Sequence, residues 1–120
     1  MVQFRNFPVY IESEAFYSQI QPLLSNTNIS YSLRDQLDRA ATSILLNIAE
    51  GTGKFGYKDK KNFYAIARGS TNECHAILRI IYLRNLINES FHTELEQKLD
   101  SIGKMLSGLI RTMRELNSEK

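Results

Sequence analysis

The sequence predicts an all-α protein, an antiparallel up-and-down four-helix bundle formed as a single domain over residues 1–120. Three observations carry that prediction. Two prolines and six glycines in 120 residues leave long segments without helix breakers. Within those segments apolar residues recur at steps of three and four, the repeat of one helix face. Short polar clusters then cut the chain into four such segments, and short connections between long helices make neighbours antiparallel.

The first helix is predicted over Pro8 to Leu24. Asn6 is placed to cap its amides, and Pro8 is tolerated in a first turn where its missing N–H costs nothing. Val9, Phe16, Ile20 and Leu23 form its inner face, and Pro22 marks its last turn because an interior proline is costly. Ser25-Asn26-Thr27-Asn28 reads as a polar turn. The second helix starts near Ser30 or Ser32; Ser32 with Asp35 three residues on resembles a capping box. Its core stripe is Leu33, Leu37, Ala40, Ala41, Ile44 and Ile48. Leu46 falls nearly opposite that stripe, which leaves it exposed in a monomer and hints at a second buried surface. Gly51 and Gly53 end the helix, glycine being the residue that enters a left-handed cap at little cost.

The third helix is predicted from Tyr57–Asp59 to near Leu86. Phe63, Ile66, Ala67, Ser70, Cys74, Ile77, Leu78 and Ile81 form its core stripe. Lys61, Tyr64, Arg68, Asn72, His75, Arg79 and Tyr82 project together on the other side, a basic face interleaved with aromatics. Asn88-Glu89-Ser90 makes a turn and cap. The fourth helix runs from Phe91 to Leu116, with Leu95, Leu99, Ile102, Leu106, Leu109, Met113 and Leu116 in alternating steps of four and three, a heptad seam. Gly103, Ser107 and Gly108 offer room for a close helix neighbour.

Composition excludes several classes. No run approaches the ~20 apolar residues of a membrane span, and the N-terminus lacks the pattern of a signal peptide. A lone cysteine forms no internal disulfide, which fits a reducing cytoplasm. Net charge is only +2, yet Lys54, Lys58, Lys60 and Lys61 against Asp59 give a local +3 within eight residues. A metal site is not expected, since Glu-x-x-His occurs once, at Glu89 and His92, instead of on two helices as in bundle di-metal proteins. Cys74 projects inward and His75 outward, so they do not form a nucleophile–base pair. No catalytic residue and no cofactor are expected.

Two polar clusters interrupt the apolar pattern, Asn47 with Glu50 and Ser70 with Glu73. Antiparallel packing of the second and third helices could bring them together, either as a hydrogen-bonded clamp that fixes register or as a ligand site. The lysine loop with Arg68 and Arg79 could neutralise phosphates, with Tyr57, Tyr64 and Tyr82 for stacking; the alternative is an ordinary solvated face.

The run from Leu37 to Ile44, then Asn47-Ile48-Ala49-Glu50-Gly51, Phe63, and Ile66-Ala67-Arg68-Gly69-Ser70-x-x-Glu73, resembles the bacterial four helix bundle proteins encoded within intervening sequences of large-subunit ribosomal RNA genes. The resemblance implies an up-and-down bundle that associates as a homopentamer and brings no catalytic activity. It extends to accessory proteins of diversity-generating retroelements, which bind nucleic acid through basic surfaces and partner a reverse transcriptase. The signature positions here are Asn47, Glu50, Gly51, Gly69, Ser70 and Glu73. The chain departs from the usual pattern at Leu45, where many members carry proline, and at Tyr10, where tryptophan is usual. The expectation is therefore a cytoplasmic, non-enzymatic, oligomeric protein that contacts RNA or DNA through Lys54, Lys58, Lys61, Arg68 and Arg79. The alternative is a module that binds only protein.

Overall fold

The computed structural model describes residues 3–119. A 3-10 turn at Gln3–Asn6 leads into α1 (Pro8–Gln19) and α2 (Gln21–Leu24), which together make the first leg of the bundle. Then come α3 (Tyr31–Thr52), α4 (Tyr57–Leu83) and α5 (Glu89–Ser118). All the regular structure described is helical. α3 packs along α4 and α4 along α5, while α1 lies against both α3 and α5; the backbones of the two diagonal pairs, α1 with α4 and α3 with α5, make no close approach. Cross-helix pairs such as Ser43 with Ser70 and Lys54 with Phe63 keep nearly constant residue sums, as antiparallel neighbours must. The 30 residues of α5, at about 1.5 Å each, set the long axis of a molecule 52 Å long and 25 by 22 Å across.

The core runs the length of the bundle. Phe16, Ile20, Ile29, Leu37, Ile44, Ile48, Leu78, Ile81, Leu95, Leu99 and Ile102 are buried in it. Charged and polar pairs tie the outer edges of α1: Glu12 to Lys98 of α5 at 3.2 Å, and the Tyr17 hydroxyl, which donates to Asp38 of α3 at 3.2 Å.

The helix ends differ from the sequence expectations in instructive ways. Asn6 is not the cap of α1; Phe7 occupies that position without a side-chain bond, and Pro8 takes the first turn. The break in the first leg falls at Ile20, two residues before Pro22, because the proline ring displaces the carbonyl four residues back. Ser30, not Ser32, caps α3, accepting from the Leu33 amide at 3.3 Å. Ser32 instead accepts from Gln36, and Asp35 pairs with Arg39. Arg34 closes the preceding turn by donating to the carbonyls of Ile29 and Leu24.

None of the described glycines is left-handed, so α3 does not end on a left-handed glycine cap. Among the described residues, the positive-φ residue is Asn85, at 59°. There the Asn85 amide returns to Tyr82 and the Leu86 amide to Ile81, the paired bonds that close a helix C-terminus. That closure ends α4 at Leu83 rather than Leu86. Asn88 then caps α5 through the Phe91 amide at 2.7 Å.

The buried arc of α4 is rotated from the expected one. Tyr64, assigned by sequence to the outer face, is 2% exposed, while Ile66, assigned to the core, is 52% exposed. Phe63 is only half-buried, and Thr71 is buried. α4 sits between α3 and α5, so its buried arc is centred between two neighbours, which moves the edges of the stripe.

Candidate nucleic-acid interface

The joint between α3 and α4 is built around Gly51. A Cβ there would lie 2.7 Å from Tyr64 Cε1 and 3.1 Å from Phe63 Cβ, so only glycine lets the two helices close this tightly. The Tyr64 ring fills the space, with its hydroxyl 3.4 Å from Thr52 Oγ1 and its face towards Phe7. Burial pushes the Tyr64 hydroxyl above the ordinary tyrosine range, partly offset by the bond to Thr52. Lys60 turns back across the joint, its Nζ donating to the carbonyls of Thr52 at 3.0 Å and Gly51 at 3.3 Å. That lysine satisfies the end of α3, a local electrostatic use of its charge.

The clamp between the polar clusters is made by a residue that sequence reasoning did not single out. Ser70 donates to Ser43 Oγ at 2.7 Å, and Asn47 donates to both Ser43 Oγ and the Ser43 carbonyl. The two helices are thus pinned by a small hydroxyl pair beside the core, with no charge to desolvate. Glu50 and Glu73 take no part in it. Glu50 is exposed and pairs with Lys54 at 3.8 Å, lining an open hollow of about 500 Å³ with Phe4, Leu46, Ala49 and Gly53. Glu73 lines a different one of about 400 Å³, with Gln36, Arg39, Ser43 and Ser70. The carboxylates therefore do not converge. Gly69 lies on the outside of α4, where an added Cβ would meet open space.

Of the basic residues singled out by sequence, Lys58 and Arg68 are exposed and Lys61 is half-buried. None of the three pairs with a carboxylate among the described residues. Lys54 is engaged by Glu50 and lies 5.3 Å from the centre of the Phe63 ring, and Arg79 lies 5.6 Å from that of Tyr82. The expected aromatic partners are otherwise occupied. Tyr64 is buried, Tyr82 stacks on His92 at 4.5 Å with planes 4° apart, and Tyr57 is engaged in contacts of its own. Of the three tyrosines that sequence assigned to this face, Tyr64 is therefore withdrawn into the core, while Tyr57 and Tyr82 stay half-buried. One aromatic was missed: Phe55, in the connection itself, is 100% exposed. Its signal was available, since a ring bracketed by Gly53 and Gly56 in a four-residue connection has no helix face to share.

A second missed cluster locks α4 to α5. Glu96 lies 2.7 Å from His75 Nδ1 and 3.0 Å from His92 Nε2, and Asp100 lies 3.4 Å from His75 Nε2. The His75 contact is a hydrogen bond; His92 Nε2 is buried without a well-directed one. His92 and Glu96, four apart on α5, carry the helical spacing that would have revealed half of this latch. Among the described residues no group of three or more His, Cys, Asp and Glu side chains is arranged to hold a metal ion. Cys74 lies inside the bundle, and burial, with a smaller contribution from Glu73, pushes its thiol up to about 12. It stays protonated near neutrality and packs as a small apolar group.

These features can be set beside known proteins. The family model of the 23S rRNA-intervening sequence protein matches residues 5–108. The chain belongs to that family. Of solved structures, it is similar to a protein of unknown function from the S23 ribosomal protein family of Bacteroides thetaiotaomicron. The TM-score is 0.79 at 24% identity, covering 85% of this chain and 97% of the other. That likeness establishes the bundle fold shared by the intervening sequence protein and its neighbour. No curated protein matches the chain. Among the described residues of this family member, no helix is long and apolar enough to cross a membrane.

Proposed function

We propose that this intervening sequence protein is a non-enzymatic, self-associating protein that holds RNA or DNA on the basic connection and outer face of α4. The observation that carries the reading is a run of unneutralised cations that begins at the connection and continues along α4. Lys58, Lys61 and Arg68 lie within eleven residues and have no carboxylate partner among the described residues, whereas Lys54 and Lys60 are used within the fold. Free cations grouped on one element are suited to phosphate, where each contact releases condensed counterions. Lys54 and Arg79 border the same surface.

Self-association repeats this small patch. Ile66, Gly69, Glu73, Ala76, Ile80 and Leu83 run along the outside of α4 in steps of three and four, and all are exposed. Leu46 of α3, 61% exposed, adds to the outward apolar surface. An outward heptad stripe is the pattern that another helix covers, and a ring of five copies is the assembly implied by the family resemblance. A cytoplasmic setting accords with the single buried, unpaired cysteine.

The test is binding of a mixed-sequence RNA measured against salt. Replacing Lys58, Lys61 and Arg68 together by Ala should weaken binding and reduce the slope of log affinity against log salt by about 2. An unchanged slope removes the phosphate contacts from this surface. The outward stripe favours the second reading, a module that binds only protein. Binding of a protein partner that persists at high salt and is lost in Leu46→Ala, with no affinity for RNA, would establish that reading instead.

A further inference from the structure

The connection between α3 and α4 carries an aromatic ring that the fold does not use. A buried phenylalanine contributes strongly to folding by leaving water. Phe55, fully exposed and without a ring contact among the described residues, contributes nothing of that kind. Among the described residues, the other exposed large apolar residues lie on helices, several of them on the outer stripe of α4, and Phe55 alone stands in a connection.

Its support is firm. The Gly53 amide is shared between the Ala49 and Glu50 carbonyls, and the Lys54 amide donates to Gly51. Lys60 bonds the far side, through its amide to the Gly56 carbonyl and through Nζ to Gly51 and Thr52. The connection is thereby fixed at both ends while the ring projects from it. The ring is fully exposed, so a flat group has access to it, and a Cβ on the neighbouring Gly56 would meet nothing within 4 Å. Lys58 and Lys61 follow within the next six residues with their charges free.

We propose that Phe55 is a stacking platform for an unpaired base, so that the nucleic acid held here is single-stranded. The proposal rests on the nucleic-acid reading above and specifies its ligand. A ring offers its face to any base, and cations a few residues away engage the backbone on either side of the stacked nucleotide, the division of labour that single-strand binding uses. In a duplex the base faces are already covered by their neighbours, so the ring has nothing to stack on. The exposed Lys58 and the half-buried Lys61, neither paired with a carboxylate among the described residues, complement phosphate. One ring by itself buries far less surface than a specific protein interface requires.

The protein has no tryptophan, so Phe55→Trp introduces a single tryptophan at the site, excited selectively over the six tyrosines at the red edge of the absorption. Its fluorescence is read during titration with a mixed-sequence single-stranded RNA and with the same strand annealed to its complement. Emission should be quenched by the single strand and not by the duplex. Phe55→Ala should lose roughly tenfold or more in single-strand affinity, keep its duplex affinity, and retain the salt slope of the parent protein. Light scattering of Phe55→Ala completes the set, and its mass should be unchanged. If Phe55→Ala binds the single strand as tightly as the parent while Lys58→Ala and Lys61→Ala weaken it, the platform is overturned and the phosphate reading stands. A fall in assembled mass in Phe55→Ala, without loss of RNA affinity, would make the ring a contact to a second copy and also overturn it. A parent protein that binds neither probe overturns both readings.

Discussion

Two faces of this bundle obey the same spacing and meet opposite fates. On α5, Leu95, Leu99, Ile102 and Leu106 alternate steps of four and three and are buried. On the outside of α4, residues from Ile66 to Leu83 alternate steps of three and four and are exposed, Leu83 by 62%. The α5 seam is covered by α4 and α1, whereas Ile66, Ile80 and Leu83 of the outer α4 stripe are left exposed by their bundle companions. A heptad repeat reports that a helix has an apolar side. Which body covers that side is a separate question, answered by the positions of the other helices.

The comparison can be broken most forcefully on its buried side. Ile102→Ala should cost about 2–5 kcal/mol in urea unfolding, because a close-packed seam does not collapse around a lost side chain. A loss well under 1 kcal/mol would show that the seam is not the core. The two glycines sharpen the contrast at intermediate scale. Gly51→Ala should destabilise by about 1–3 kcal/mol, since the new Cβ strikes the Tyr64 ring. Gly69→Ala, on the outer stripe with open space before it, should raise stability by up to about 1 kcal/mol through helix propensity. Equal effects at both positions would erase the distinction. The smallest effect belongs to Leu83→Ser, expected within about 0.5 kcal/mol in the unfolding of the bundle. Its informative readout is solution mass, which should fall if the stripe is covered by a second copy. An unchanged mass would leave Leu83 outside any such contact.

Much of the architecture was legible because helix formation and burial repeat along a chain. The seam of α3, that of α5 from Leu95 to Leu106, the inward position of Cys74 and the exposed Leu46 all follow from a 100° step and an apolar count. Beyond Leu106 the α5 seam departs, with Ile110 buried and Leu109, Met113 and Leu116 only half-buried. The errors fell where neighbours decide. Tyr64 and Ile66 exchanged places because α4 is flanked on two sides, and no property of α4 alone sets the centre of its buried arc. The cap of α3 was left between Ser30 and Ser32, which are equivalent as cap chemistry, and Ile29, buried before them, fixes where the chain enters. The end of α3 was assigned to a left-handed glycine, whereas Gly51 serves close packing and Lys60, nine residues later, holds the terminal carbonyls.

The candidate interface was read in part for the same reason. Local charge is written in the sequence, so the lysine cluster stood out. Which lysines remain free is not, because Lys60 and Lys54 are consumed by a carbonyl pair and by Glu50 only once the joint has folded. The polar clamp was anticipated between the right helices, but its partners are Ser70 and Ser43 with Asn47, not the two glutamates. A short hydroxyl pair fits beside a core where an ionised carboxylate would require costly desolvation.

By itself the sequence determined four helical segments, their inner faces and the order in which they fold back on one another. These are consequences of periodicity, breakers and connection length, all local in the chain. Only the tertiary structure decided the rotation of α4, the tight contact of Gly51 with Tyr64, the latch of His75 and His92 on Glu96, and the isolation of Phe55. Each depends on distances between atoms far apart in sequence, and those distances exist only once the bundle has closed.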